Sequence, residues 1–385
     1  MSGAGSEVHG HCDPAFAPVR EAFAANFEAG REDGASFAVF RDGEPVVDLW
    51  AGVANVRDGT PWQRDTLANV WSTTKGPTAV CALLLADRGE LDFDAPVARY
   101  WPEFAAGGKE RVPVRDLLCH RAGLSGFEAP RALEDLFDWK LVTEALAAQE
   151  PWWEPGTQHG YHAITYGFLV GEVVRRISGR SPGRFFREEL ALPLGLDFQI
   201  GLPASEEPRV ARLVPPPAGD TTDALRRDPT SLPSRTLGNP VTAASATWRR
   251  DWRAAEIPAA NGHGNARSVA RFYALLAGDG ELGGRRLLSP ASIDQAATVQ
   301  CAGVDAVLQV PVQWGLGLIV NGRPGLYGPN PATVGHSGYG GSFGFADRDA
   351  RLAVGYVMNR MGANLAGDPR SLSLTRAVYA SLGDR

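Results

Sequence analysis

Ser72 and Lys75 stand three residues apart in Trp71-Ser72-Thr73-Thr74-Lys75-Gly76, ahead of the apolar run Ala79-Val80-Cys81-Ala82-Leu83-Leu84-Leu85-Ala86. The run ends at Asp87-Arg88-Gly89, a glycine stop, and predicts a buried helix with Ser72 at its entrance. Positions three apart share a helix face, so Lys75 can stand beside Ser72. A serine hydroxyl is a poor nucleophile at neutral pH until a partner takes its proton. A lysine can take it where burial or a neighbouring cation lowers its pKa. Backbone N–H groups at the helix start could then hold an oxyanion. The same residues would also serve as an ordinary serine N-cap followed by a surface lysine. So short a pattern arises by chance in many chains, and other residues must decide.

Tyr161 lies just before a run in which Ile164, Phe168 and Val174 mark a helix face. It reads either as a packed aromatic or as a phenol beside a lysine, whose charge would depress its pKa. His120, in a glycine-bearing loop, reads as structural because nothing near it in sequence completes a site. His159 and His162 lack a third metal ligand. Gly340-Gly341-Ser342-Phe343-Gly344 fits the Gly-x-Ser-x-Gly elbow of α/β-hydrolases. That elbow needs a parallel strand before it, a helix after it and a later histidine; here the flanks read as strands and no histidine follows, so Ser342 is disfavoured as nucleophile.

The elements that must position these residues come in a definite order. Phe16, Val19, Phe23 and Phe27 recur at helical spacing between Pro14 and Ala29. Two β-rich runs, 35–40 and 46–50, flank the turn signal Asp42-Gly43. Past the Ser72 helix, 114–119 and 138–149 read as helices. Residues 203–260, rich in Pro, Arg, Asp and Ser, read as a long irregular excursion over a pocket. A helix over 268–276, a strand over 310–320, a hairpin built from 335–347 and 352–358, and a closing helix over 369–382 complete the chain.

Composition narrows the function classes. The chain has 385 residues, enough for two subdomains, with a net charge of −6 and no basic stripe, which argues against nucleic acid. Ten tryptophans and sixteen phenylalanines suit apolar pockets as well as core. Met1–Val8 lacks a basic start and an apolar run, and no stretch approaches a membrane span. His9-Gly10-His11-Cys12-Asp13 reads as a polar tail. Cys12, Cys81, Cys119 and Cys301 show no metal-type spacing and read as reduced thiols of a cytoplasmic protein.

Taken together, Ser72-Thr73-Thr74-Lys75, Tyr161 and His336-Ser337-Gly338 make the chain resemble the serine hydrolases related to class C β-lactamases and penicillin-binding proteins. Within them it is most similar to the family VIII carboxylesterases, over residues 14–382. Tyr161 matches the tyrosine of the Tyr-x-Asn box, and His336-Ser337-Gly338 sits where β-lactamases carry Lys-Thr-Gly. Two departures stand out: Ala163 replaces the Asn and His336 the Lys, groups that would contact a lactam's amide and carboxylate.

The resemblance implies an α+β fold, an antiparallel sheet flanked by N- and C-terminal helices with an inserted mainly helical subdomain. Residues 1–70 and 261–385 would form the α/β part and 71–260 the helical part. It implies a serine carboxylesterase hydrolysing small or short-chain esters. Ser72 would be the nucleophile, with Lys75 keeping Tyr161 acidic enough to act as base. The backbone N–H groups of Ser72 and Tyr339 would hold the oxyanion, and His336, Ser337 and Gly338 would line the substrate site. No metal or cofactor is required, and the only partner expected is the ester. The alternatives are a β-lactamase or D-alanyl peptidase, an acyltransferase using the same acyl-enzyme, and an inactive binding member of the family.

Overall fold

The computed structural model describes residues 7–322 and 325–383, so Met1–Ser6 of the N-terminal stretch lie outside it. Ten antiparallel strands form one sheet. They are β1 (His9–Cys12), β2 (Gly34–Arg41), β3 (Glu44–Asn55), β4 (Thr60–Pro61), β5 (Cys301–Val304), β6 (Pro311–Trp314), β7 (Ile319–Val320), β8 (Val334–Ser337), β9 (Phe343–Asp347) and β10 (Leu352–Met358). Their order is β1-β3-β2-β10-β9-β8-β7-β6-β5, with β4 against β3. The seam between the two ends of the chain is β2 on β10, with Arg41 opposite Leu352 and Ala35 opposite Met358.

The helices used below are α1 (Ala17–Glu28), α2 (Lys75–Asp87), α3 (Val114–Leu118), α4 (Trp139–Ala148), α5 (Thr165–Ser178), α6 (Ala266–Ala277) and α7 (Pro369–Ala380). Val19, Phe23 and Phe27 of α1 are buried, as their spacing predicts. Helix α1 packs with α7, while α6 lies across β2, β10 and β9. That close approach needs bare backbone. A Cβ on Gly355 would stand 2.3 Å from the Ala266 carbonyl oxygen, and one on Gly344 2.3 Å from the Tyr273 ring. Helix α2 packs against α5 within the stretch that joins the two groups of strands.

Four expectations are corrected. His9–Cys12 is no tail; it pairs with β3, His9 opposite Trp50, because Arg20 ties the carbonyls of Val8 and Gly10 to α1. The 310–320 strand is two strands, β6 and β7, folded back on each other where Gly315 N–H donates to Leu318 O. The glycine-rich stretch 335–347 itself holds two strands, so the expected hairpin is the three-stranded meander β8-β9-β10. The closing helix buries Leu374 and Val378, whereas Leu372 is only half-buried and Leu382 lies beyond its end.

Candidate active site

Ser72 sits in a tight helical turn, Trp71–Thr74, that runs directly into α2. Thr74 closes the turn: its hydroxyl donates to Trp71 O at 2.5 Å and accepts from Gly262 N–H at 2.9 Å. Trp71 itself has φ +46°, the left-handed region, which a tryptophan adopts only when its surroundings impose it. Its ring is held between Trp252, at 5.7 Å between centroids, and Tyr339, at 5.6 Å. The strain therefore sits one residue before the serine.

Lys75, the first residue of α2, is wholly buried. Its Nζ lies 3.1 Å from Ser72 Oγ, 2.7 Å from Ala163 O and 2.9 Å from Ala259 O. Among the described residues no carboxylate pairs with it, and burial pushes its pKa well below the ordinary lysine value. The Ala259 carbonyl is aimed by a braced turn: Asn261 accepts from Ile257 N–H at 2.9 Å and donates to Trp252 O at 2.8 Å.

Tyr161 is buried, and the Lys75 Nζ lies 4.7 Å from its ring centroid. Tyr161 and Ser72 line both lobes of the pocket together. The ring stacks on Trp314, 5.8 Å between centroids and 8° from parallel, with His120 at 5.0 Å on another side. Its backbone N–H donates to Asp305 Oδ1 at 2.9 Å, and the same oxygen takes the N–H groups of Val307 and Leu308. The expectation that Lys75 depresses the phenol is reversed. Burial pushes Tyr161 up, with only the neighbouring Ser72 acting against it, and the lysine beside it is itself pushed toward the neutral amine.

His336 comes from β8, its Nδ1–H donating to Ser337 O at 2.8 Å. Its Nε2 has no partner among the described residues. Burial, and then Lys75, lowers its pKa to about 3, so the ring is a neutral acceptor and not a cation. The Ser337 hydroxyl is shared with Tyr327 OH at 2.9 Å. Gly338 lets the β8–β9 turn approach the Trp71–Thr74 turn, since a Cβ there would stand 2.2 Å from both Val70 O and Ser342 Oγ. The Tyr339 N–H donates to no described residue. Ser342 is spent on structure: its hydroxyl donates to Val70 O at 2.8 Å and touches Thr73 Oγ1 at 3.2 Å, with no base at hand.

Two lobes meet at Ser72, Tyr161 and Tyr339, of about 290 Å³ and about 830 Å³. The smaller is walled by the 203–260 segment, including Pro215–Pro217 and Val241–Ser245; the segment expected to be irregular holds short helical stretches, among them Thr221–Leu225, Leu232–Gly238 and Arg250–Ala254. The larger is lined by apolar side chains such as Leu308, Val312, Trp314, Ile319 and Leu372. Sequence reasoning missed Asp220, which binds the Tyr339 hydroxyl and takes the Thr222 hydroxyl at 2.7 Å. It also missed Trp314 and Asp305, which hold Tyr161. His120 is structural, as read: its Nδ1 accepts from His162 N–H at 3.0 Å. The His162 ring accepts from Leu124 N–H, also at 3.0 Å. Among the described residues no three His, Cys, Asp or Glu side chains gather as a metal site.

Comparison with known proteins agrees with this geometry. The family model described as Beta-lactamase matches residues 19–377. The chain is 39% identical over 371 residues to Esterase/beta-lactamase LipL of Mycobacterium tuberculosis, spanning 93% of this chain and 84% of LipL. It is 30% identical over 374 residues to Esterase EstB of Burkholderia gladioli, spanning 90% of this chain and 91% of EstB. The crystal structure of a family VIII carboxylesterase superposes with a TM-score of 0.92 at 47% identity, over 97% of this chain and all (100%) of that one. A penicillin-binding protein homologue from Caulobacter crescentus gives a TM-score of 0.89 at 43% identity, over 97% and 100% of the two chains. Similarity that runs through nearly the whole length settles the membership: this chain is a serine hydrolase of the beta-lactamase family.

Proposed function

We propose that the protein is a carboxylesterase that cleaves small carboxylic esters through an acyl-enzyme on Ser72. The observation that carries this is the placement of Lys75. A neutral amine has two N–H donors and one lone pair. Ala163 O and Ala259 O accept the two donors, which leaves the lone pair facing Ser72 Oγ, 3.1 Å away. Lys75 then takes the serine proton as Oγ bonds to the ester carbon. The N–H groups of Ser72 and Tyr339 receive the oxyanion. Tyr161, a neutral phenol, gives its proton to the departing alkoxide and recovers one from the Lys75 ammonium. Water enters by the reverse route and releases the acid.

Ester rather than lactam chemistry is supported by the uncharged His336 and by Ala163, which offers no side-chain amide. Lactam hydrolysis is the second reading, and it rests on the 39% identical relative named Esterase/beta-lactamase LipL. Paired assays separate the two. With p-nitrophenyl butyrate and nitrocefin on wild type and Ser72→Ala, butyrate hydrolysis should dominate and fall by roughly a thousandfold or more in the variant. Nitrocefin kcat/KM matching that of the ester would replace the carboxylesterase reading with the lactamase one.

A further inference from the structure

A second group of reactive side chains lies behind the catalytic tyrosine, outside both lobes. Cys301 opens β5, an edge strand, and is half-buried. Cys119 ends α3 and is fully buried. The Cys301 thiol is 3.5 Å from Cys119 O, and both side chains pack in the cluster that holds Tyr161 and Trp314. Cys119 also reaches Arg115 O at 2.9 Å. The His159 ring lies against the same strand, 3.6 Å from where a Cβ on Gly303 would stand, with its Nε2 unpartnered among the described residues, and Arg121 adds positive charge nearby. Asp116 faces Cys119, and Asp305 faces His159.

We propose that Cys301 and Cys119 form an oxidant-responsive thiol pair, with Cys301 the sulfur that a hydroperoxide meets first and Cys119 the thiol that resolves it. The chemistry balances. The Cys301 thiolate attacks one peroxide oxygen; an S–O bond forms, the O–O bond breaks, and the departing hydroxide leaves as water after protonation. Cys119 then attacks the Cys301 sulfur, the S–S bond forms, the S–O bond breaks, and a second water leaves with the Cys119 proton. Two thiols lose two electrons and the peroxide gains them.

The electrostatics suit these roles. The adjoining Cys119, with His159 and Arg121 adding to its effect, lowers the Cys301 pKa to about 6 against the opposing effect of burial. Burial raises the pKa values of Cys12 and Cys81 instead. The position ties the pair to the catalytic centre. Cys119 immediately precedes His120, Cys301 is the strand partner of Trp314, and these two rings flank Tyr161. A bond between the sulfurs would fasten together the two walls that hold the phenol.

Two measurements on the folded protein test this. At pH 7 iodoacetamide should label Cys301 roughly tenfold or more faster than Cys12, since a thiol with a lowered pKa is largely thiolate but a somewhat weaker nucleophile. Equimolar hydrogen peroxide, followed by alkylation in denaturant and peptide mapping, should yield one dithiothreitol-reversible peptide joining Cys119 to Cys301. Cys301→Ser should abolish it while still taking a fluorophosphonate at Ser72, and Cys119→Ser should leave a dimedone-reactive sulfenic acid on Cys301. Labelling of Cys301 no faster than Cys12, or sulfinic acid on Cys301 with Cys119 still alkylatable, would overturn the proposal.

Discussion

Lys75 Nζ stands 3.1 Å from Ser72 Oγ with both of its other contacts on backbone carbonyls. An arginine cannot reproduce that, because it stays protonated. Lys75→Arg should lower kcat/KM for p-nitrophenyl butyrate by roughly a thousandfold or more. In wild type, kcat/KM should rise with pH through the lowered Lys75 pKa and level off well short of the ordinary value near 10.5. Stability follows the same proton. Above its lowered pKa the folded chain leaves Lys75 neutral, while the unfolded chain keeps it charged up to about 10.5. Stability should therefore rise with pH across that window, and Lys75→Met should flatten the slope of Tm against pH.

Tyr161, raised by burial, is suited to give a proton rather than to take one. A good leaving group such as p-nitrophenolate needs little help, whereas an ethoxide does. Tyr161→Phe should cost on the order of tenfold or more extra in kcat/KM for ethyl butyrate than for p-nitrophenyl butyrate. An equal loss on both esters would mean that the phenol acts as base toward Ser72. The Lys75→Ala/Tyr161→Phe double variant should be little worse than the poorer single one, because the two groups handle one proton.

Asp220 anchors the 203–260 segment to Tyr339, whose backbone N–H faces the pocket. Asp220→Asn and Tyr339→Phe each weaken that tie without touching Ser72. Both should lower kcat more than they raise KM, and limited proteolysis should cut faster within residues 215–245. Unchanged proteolysis with unchanged kcat would show that the segment is held elsewhere.

His336 stays neutral down to a pKa of about 3. The pH profile of kcat/KM should therefore lack a limb that moves in His336→Gln. A lysine at this position would return a cation to the β8 edge. His336→Lys should raise the ratio of nitrocefin to p-nitrophenyl butyrate kcat/KM.

Ser342 donates to the Val70 carbonyl one residue before Trp71. Ser342→Ala should keep fluorophosphonate labelling at Ser72 and lose about 1 kcal/mol of stability, the usual net contribution of one hydrogen bond, since Val70 O still accepts from Thr73 N–H. Transfer of the label away from Ser72 in wild type would revive Ser342 as the nucleophile.

What the sequence made legible was whatever is local. The spacing of Ser72 and Lys75, the apolar run of α2 and the Phe16–Phe27 stripe each declare themselves within one or two turns of helix. The expected strand over 310–320 failed because its break is a tight turn of four residues, Gly315–Leu318, set between two short strands. His9–Cys12 looked like a tail because its hydrogen-bond partners lie some forty residues away in β3, Cys12 opposite Val47. In the site, Tyr161 was visible but its direction of titration was not, since that depends on how completely Trp314, His120 and the lysine enclose it. Asp220 and Asp305 carried no motif at all. Each matters only because folding brings it to a residue more than a hundred positions distant.

The seam of β2 on β10 sets a timetable for synthesis. Ser72, Lys75 and Tyr161 leave the ribosome before the chain has made Tyr339, the donor opposite the serine, or the strand that closes the sheet onto Gly34–Arg41. Until β10 arrives, β2 has one open edge, and the face on which α6 rests is incomplete. If Ser72 and Lys75 act as proposed, esterase activity should switch on only as the final strands dock, and a nascent chain stalled before residue 352 should hold both residues without turning over an ester.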